Sequence, residues 1–223
     1  MGTLYIVATP IGNLADISQR ALEILRSVDL VAVEDTRVTH KLLAHYEISK
    51  PLITCHQHNI TKSVEQLAGE LKAGKNIALV TDAGTPGIAD PGNHLIAQLI
   101  ALLGEELKII PLPGANAALA LLSISGFPTD RFLFMGFPPH KKGRNKFFAE
   151  AAASNETVVL YESPHRILKT LAALPADRPA VVGRELTKQF ESVYRGTVGE
   201  ILARYAKELP RGELVIVLAG LYT

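Results

Sequence analysis

The stretch LVTDAGTPGIADPG, residues 79–92, decides how the first half of the chain folds. The apolar run Ile77-Ala78-Leu79-Val80 ends at Thr81-Asp82 and reads as a buried strand reaching the C-terminal edge of a sheet. Asp90-Pro91 then supplies a helix N-cap followed by proline at the first helical position. Strand, Gly- and Pro-rich loop and fresh helix, in that order, form the kind of crevice in which open α/β sheets hold ligands. The glycines let backbone approach such a ligand closely.

Outward from this stretch the same alternation recurs. Strands are expected at Thr3–Ala8, Asp29–Val33, Leu52–Thr54, Asn76–Thr81 and Leu107–Leu112. Amphipathic helices are expected near Ser18–Arg26, Arg37–Tyr46, Lys62–Lys72 and Pro91–Leu103. Asp16 with Gln19 three residues later resembles a capping box for the first helix. Alternation of this length argues for a mostly parallel sheet covered on both faces. After PLPGANA a helix through Ala115–Ser123 leads to strands at Arg131–Gly136, Glu156–Tyr161, Ala180–Gly183, Glu191–Tyr194 and Glu213–Leu218. The fourth of these follows the third too closely for a crossover, so part of the second sheet should be antiparallel. Thr197 and Glu200 form a further capping box. The expectation is two α/β domains, 1–113 and 114–223, the first with a mostly parallel sheet and the second with a mixed one.

Composition bounds the function. The 223 residues are 48% hydrophobic and 20% charged, as in an ordinary soluble globular chain. A net charge of +1 sets up no global basic field, so any nucleic-acid binding must use a local patch. The single cysteine, Cys55, excludes an internal disulfide framework and fits a reducing compartment. The amino-terminal MGTLYIVATPIG lacks the layout of a signal peptide, and no apolar run is long enough to span a membrane. A cytoplasmic location is expected.

Several familiar motifs fail on inspection. Gly69 to Asn76 nearly matches the phosphate loop, but Asn76 stands where the magnesium-binding hydroxyl belongs, and the segment runs from helix to strand instead of the reverse. It reads as a helix C-cap. No dinucleotide fingerprint follows the first strand. Cys55-His56-Gln57-His58 has no second ligand pair, so no metal is expected. No G-x-S-x-G elbow exists for a hydrolase.

What remains is a set of polar loops at strand ends: Thr9 to Asn13, Glu34 to Arg37, Cys55 to Asn59, the opening stretch, and Pro113 to Asn116. The second domain adds Tyr161 to Arg166 and Gly183 to Lys188. Any one of them has a plain capping role; seven together point to a small-molecule site, for which a cleft between two domains is a common place.

At these residues the chain resembles the tetrapyrrole-methylase superfamily, whose members bind S-adenosyl-L-methionine in a cleft between two α/β domains. TPIGNL, EDTR, HQHN, DAGTPGIADPG, PLPGANA, GFPTDRFLFMGF, YESPHR and GRELTKQFE, in that order, are similar to the ribosomal RNA small subunit methyltransferase I branch. The resemblance implies methylation of the ribose 2′-hydroxyl of a decoding-centre cytidine in small-subunit RNA, either free or in the assembled 30S subunit, by a homodimer. It also implies a C-terminal segment beyond the last strand, where this sequence stops at Thr223. Carried over by position, Pro10, Thr81, Asp82, Ala83 and Thr85 would line the cofactor from the first domain, with Asn116 and Ala117 at the hinge. Glu162, Arg184, Ala219 and Gly220 would face it from the second.

A ribose hydroxyl is a weak nucleophile, and a positioned carboxylate or imidazole can take its proton as the bond forms. Glu34 and Asp35 are the first candidates, with His56 and His58 behind them; these two histidines also count among the RNA contacts. Arg37 would clamp a neighbouring phosphate. Lys141, Lys142, Arg144 and Lys146 place four positive charges in six residues, and Lys141, Lys142, Arg144, Arg166 and Lys188 are assigned to RNA backbone. The rival expectations are a methylase of a tetrapyrrole or of a modified protein side chain, and a non-catalytic nucleotide-binding regulator. The basic run at 141–146 and the absence of a G-G-D-P form of the opening loop favour RNA.

Overall fold

A computed structural model describes residues 1–55, 60–90, 92–208 and 210–221. The chain divides into two compact units, Met1–Asn116 and Ala117–Thr223.

In the first unit, strands β1 (Thr3–Val7), β2 (Leu30–Val33), β3 (Leu52–Thr54), β4 (Ile77–Leu79) and β5 (Lys108–Leu112) form one sheet in the order β3-β2-β4-β1-β5. Every pairing in it is parallel. The central strands are buried on both faces, LVAV in β2 and IAL in β4, as a parallel sheet covered by helices requires. Side chains alternate along β2: Leu30 and Ala32 join the cluster that holds Leu67 and Leu99, and Val31 and Val33 join the one that holds Leu25 and Leu43. Helices α3 (Ile60–Lys72) and α4 (Gly92–Leu103) therefore cover one face, and α1 (Gln19–Ser27) and α2 (Thr36–His45) the other.

The expected Asp16–Gln19 box is replaced by two separate caps. Asn13 caps a single 3-10 turn, Leu14–Asp16, and Ser18 caps α1 by accepting from the Ala21 N–H. Asp16 is the last residue of that turn, so the next helix starts from Ser18. The helix C-cap reading of Gly69–Asn76 describes what is found: the Gly74 N–H bonds to the Leu71 carbonyl and the Lys75 N–H to that of Glu70.

The second unit opens with α5 (Ala117–Ser123). Its sheet, ordered β6-β7-β10-β8-β9, contains β6 (Phe132–Gly136), β7 (Thr157–Glu162), β8 (Pro179–Arg184), β9 (Ser192–Thr197) and β10 (Leu214–Leu218). Only β6 and β7 are parallel, and the other three pairings are antiparallel. Helices α6 (Arg144–Ala153), α7 (Ile167–Leu171) and α8 (Val198–Lys207) pack Phe148, Leu171 and Ile201 with Val158, Val182 and Ile216 on one face. On the other, Gly183 leaves room for α5: a Cβ there would stand 2.8 Å from Leu121 Cδ1. Thr197 and Glu200 complete the expected capping box at the start of α8.

Candidate functional site

Because all five strands of the first sheet run the same way, their carboxyl ends lie along one edge. Across it stand Cys55 after β3, Glu34-Asp35 after β2, Thr81-Asp82 after β4, Ala8-Thr9-Pro10 after β1 and Pro113-Gly114 after β5. Side chains stitch neighbouring loops together. The Thr81 hydroxyl donates to Glu34 Oε2 at 3.1 Å, and the Asp35 N–H donates to Asp82 Oδ1 at 3.2 Å. The buried Thr9 hydroxyl donates to the Thr81 carbonyl at 3.0 Å, and Thr9 and Gly84 exchange backbone bonds of 2.8 and 3.0 Å. Thr85 Oγ1 donates to the Ala115 carbonyl at 3.1 Å. Gly114 is held so close to β1 that a Cβ would lie 2.6 Å from the Ala8 Cβ. One hydrogen-bonded web thus fixes the candidates Thr81, Asp82 and Thr85 along with Glu34 and Asp35, while Pro10 lies buried and Ala83 exposed beside them. Asn116 and Ala117 fall on either side of the division between the units.

The acids of this edge differ sharply. Burial is the main cause that raises the Glu34 carboxyl above its ordinary range, reinforced by Asp82 and Asp90 and opposed by the Thr81 hydroxyl. Burial and the neighbouring Asp35 raise Asp82 as well. Asp35 goes the other way: hydrogen bonds from the Arg37 guanidinium and backbone hold it at about 2. It caps α2 through the Arg37 N–H at 2.8 Å and pairs with Arg37 Nη2 at 2.6 Å. Arg37 itself is 85% exposed.

Beneath the edge, a cavity of about 30 Å³ is lined by Glu34, Cys55, Ser63, Thr81, Asp90 and Leu95. It has room for a water molecule and none for a nucleoside. Burial raises the Cys55 thiol to about 11, so it remains protonated there at neutral pH. Asp90 Oδ1 accepts from the N–H groups of Gly87 and Gly92 at 2.8 and 2.6 Å, which anchors the start of α4. Its buried Oδ2 has no hydrogen-bond partner among the described residues. Pro91, His56 and His58 lie outside the described residues.

In the second unit the candidates are engaged within their own fold. Glu162 is 1% exposed; it accepts from the Ser163 N–H at 2.8 Å and from the Thr170 hydroxyl, and stands 3.4 Å from Arg166 Nε. Arg166 also donates to the Pro138 carbonyl. Arg144 Nη2 donates to Thr170 Oγ1 at 3.0 Å, joining the same network. The Arg184 guanidinium donates to Ser192 Oγ at 3.1 Å and to the Phe190 carbonyl at 2.9 Å. Ala219 and Gly220 are buried, Ala219 bonding to Pro179 through its N–H and to Arg178 through its carbonyl. Lys188 Nζ lies 2.9 Å from both Glu185 and Glu213. Of the basic candidates in this unit, Lys141 and Lys142 are exposed.

Thr9 and Asp90, which organise the edge, were not singled out as site residues by the sequence. The available signal was positional: each is a polar residue where an apolar strand or a helix-initiating loop turns into the edge. No helix among the described residues is long and apolar enough to cross a membrane.

With this geometry in view, the comparisons with known proteins agree. Residues 3–202 match the family of Tetrapyrrole (Corrin/Porphyrin) Methylases. The "Ribosomal RNA small subunit methyltransferase I" of Synechocystis is 48% identical over 226 residues, covering 99% of this chain and 80% of that protein. The protein of the same name from Escherichia coli O157:H7 is 47% identical, covering 98% of this chain and 78% of its own. Among solved structures, uroporphyrin-III C-methyl transferase from Thermus thermophilus, complexed with S-adenyl homocysteine, superposes with a TM-score of 0.66 at 17% identity. That match covers 97% of each chain.

Proposed function

The chain belongs to the tetrapyrrole methylase family, in its ribosomal RNA small subunit methyltransferase I branch, and from that premise we propose that it transfers a methyl group from S-adenosyl-L-methionine to small-subunit ribosomal RNA. The finer reading is methylation of the ribose 2′-hydroxyl of a decoding-centre cytidine, which would put the activity in the cytoplasm. The homodimer implied by the resemblance belongs to the same proposal.

The observation that carries this reading is the chemistry of the strand edge. Glu34, Asp35, Asp82 and Asp90 face one cation of the same loops, Arg37, and that cation is already paired with Asp35. Such an edge suits a ligand with hydroxyls and a positive centre. The donor set therefore fits the cofactor. When bound, S-adenosyl-L-methionine supplies an electrophilic methyl group on a positive sulfur. Asp82, exposed and fixed by the Asp35 N–H, would accept from ligand hydroxyl or amino groups. Thr81 and Thr85 hold the loop that carries Asp82 and Ala83, while Pro10, Asn116 and Ala117 would supply close, weakly polar walls. Glu162, Arg184, Ala219 and Gly220 would contribute through the backbone they fix, since their own polar groups are engaged.

Glu34, half-buried and raised, is the better proton acceptor of the two acids, because a carboxylate held at about 2 has little affinity for a proton. Asp35 would instead keep Arg37 oriented toward RNA. Orientation of the acceptor by the web of Thr9, Thr81 and Glu34 would provide the rest of the acceleration.

The test is transfer of tritiated methyl from S-adenosyl-L-methionine to small subunits lacking the modification, followed by nucleoside analysis. Label in 2′-O-methylcytidine is expected. Label on a base, or none in RNA alongside measurable cofactor binding, would refute the proposal.

A further inference from the structure

Two cations that the sequence did not single out, Arg204 and Lys207, share one surface of the second unit. Both lie on α8 and line a groove of about 550 Å³ together with Tyr194, on the edge strand β9, and Glu200, Ile201 and Ala203. On the helix, Glu200, Ala203, Arg204 and Lys207 follow at intervals of three and four residues and so occupy one face. All four are exposed.

Their charge balance differs from that of the other basic residues. Lys188 and Arg166 are paired with carboxylates, but among the described residues no carboxylate pairs with Arg204 or Lys207. The one acid on the face, Glu200, accepts from the Thr197 N–H at 2.8 Å and caps its own helix. The groove is therefore net positive.

It is also ordered. The Arg204 guanidinium sits 3.8 Å above the Tyr194 ring, which in turn packs edge-on against the buried Tyr205 ring at 5.6 Å. Arg195, the next residue along β9, lies on the opposite face of the sheet, where its Nη2 donates to the Ile124 carbonyl at 2.7 Å beyond α5. A planar guanidinium backed by an aromatic ring leaves its outer face open, and such a face is a stacking platform for an unpaired base.

We propose that this groove binds a single-stranded segment of the RNA substrate, with Lys207 holding a backbone phosphate and Arg204 presenting its outer face to a base. The inference rests on the RNA-methylase reading above and adds to it a binding surface separate from the strand edge of the first unit. An acidic protein segment would satisfy the charge but would make no use of the backed guanidinium plane, which favours RNA.

The experiment compares wild type with R204E/K207E and with R204K, using small-subunit RNA transcribed in vitro, intact small subunits and S-adenosyl-L-methionine. The double variant should stay folded, with a lower melting temperature from the lost Arg204–Tyr194 contact, keep cofactor affinity and lose at least about tenfold in RNA affinity. Its log–log salt slope should fall in magnitude by about 0.7 for each phosphate no longer neutralised. R204K keeps the charge, so its slope should stay near wild type while its affinity for the transcript drops on the order of tenfold through weaker stacking. Unchanged affinity and slope in the folded double variant, with wild type methylating normally, would overturn the groove while sparing the proposed function. Weakened binding to intact subunits but not to the transcript would also overturn it, in favour of a ribosomal-protein partner. Failure of the wild type itself to bind or methylate RNA would instead remove the reading on which the groove rests.

Discussion

Glu34 and Asp35 are neighbours at the end of β2 whose carboxyls are driven in opposite directions: burial raises Glu34, and Arg37 lowers Asp35 to about 2. Both follow the last residue of β2, Glu34 in a bend and Asp35 at the N-cap of α2, and the contrast comes from what each carboxyl meets. Glu34 turns under Thr81 toward the cavity, and Asp35 turns outward to cap α2.

This contrast predicts different kinetic phenotypes. Glu34→Gln should leave cofactor affinity intact and cut single-turnover methylation by roughly 10²–10⁴. In wild type the rate should rise with pH through a limb above the ordinary glutamate value of 4.5, since the base works only when ionised. That limb should vanish in Glu34→Gln. Asp35→Asn should retain most turnover and lower the melting temperature only slightly, through loss of the exposed Arg37 pair, since asparagine caps a helix as well as aspartate does. The two acids also have opposite linkage signs. The lowered Asp35 stabilises the fold above its unfolded value of 3.8, and that contribution disappears as pH falls through about 2. The raised Glu34 favours the fold below 4.5, and its contribution is lost as pH rises through its folded value. Equal, near-normal rates in both variants would end the case for a carboxylate base.

Asp82 offers the sharpest test of where the cofactor binds. It is exposed at a strand end and accepts one backbone N–H, so Asp82→Arg should fold normally and abolish S-adenosyl-L-methionine binding. Calorimetry and circular dichroism read the two properties separately. A folded variant that still binds at micromolar concentration removes this loop from the cofactor site.

Thr9 separates scaffold from chemistry. Thr9→Val keeps the shape of the side chain and deletes a buried hydroxyl that serves the carbonyls of Thr81 and Gly84. Urea unfolding should show a loss of about 1–3 kcal/mol, because the Thr81 carbonyl loses a buried donor. An unchanged midpoint would mean that the two loops are held by backbone bonds alone.

The basic run at 141–146 should divide into two behaviours. Lys141→Glu with Lys142→Glu should reduce the magnitude of the salt slope for RNA by roughly 0.7–0.9 per phosphate released and leave the melting temperature unchanged. Arg144→Glu should lower the melting temperature, because Arg144 bonds to Thr170 Oγ1 and lies 4.7 Å from the Phe148 ring centre. Identical effects of all three substitutions on stability would contradict this division.

The elements of the fold were legible because apolar runs and capping residues act locally. Thr197 and Glu200 announce a helix start whatever surrounds them. The α1 cap was misplaced because Asp16 and Gln19 have the right spacing, and only the intervening 3-10 turn hands the role to Ser18. At the strand edge the residue types could be read, but not their protonation preferences. Those depend on Thr81 and Arg37 reaching particular oxygens. The internal engagement of Arg144, Arg166 and Lys188 was partly hidden for the same reason. Arg166 and Lys188 do meet Glu162 and Glu185 at the visible spacings of four and three, but the Thr170 hydroxyl, the Pro138 carbonyl and the distant Glu213 leave no trace in the spacing around each basic residue.

The parallel order of the first sheet also governs how the protein comes to bind anything. β1 pairs with β4 and β5, so Leu4 must meet both Ile77 and Ile109 before the central strands are closed. A chain with such distant pairings has a high contact order and folds slowly compared with a helical bundle. No fragment ending before β5 possesses the full edge, since Gly114 and Ala115 supply part of it. Under the proposed function, cofactor capture at this edge would be a late event that reports completion of the whole sheet. Once reached, it feeds back: a ligand present at roughly 100 times its dissociation constant deepens the native state by about 2.7 kcal/mol.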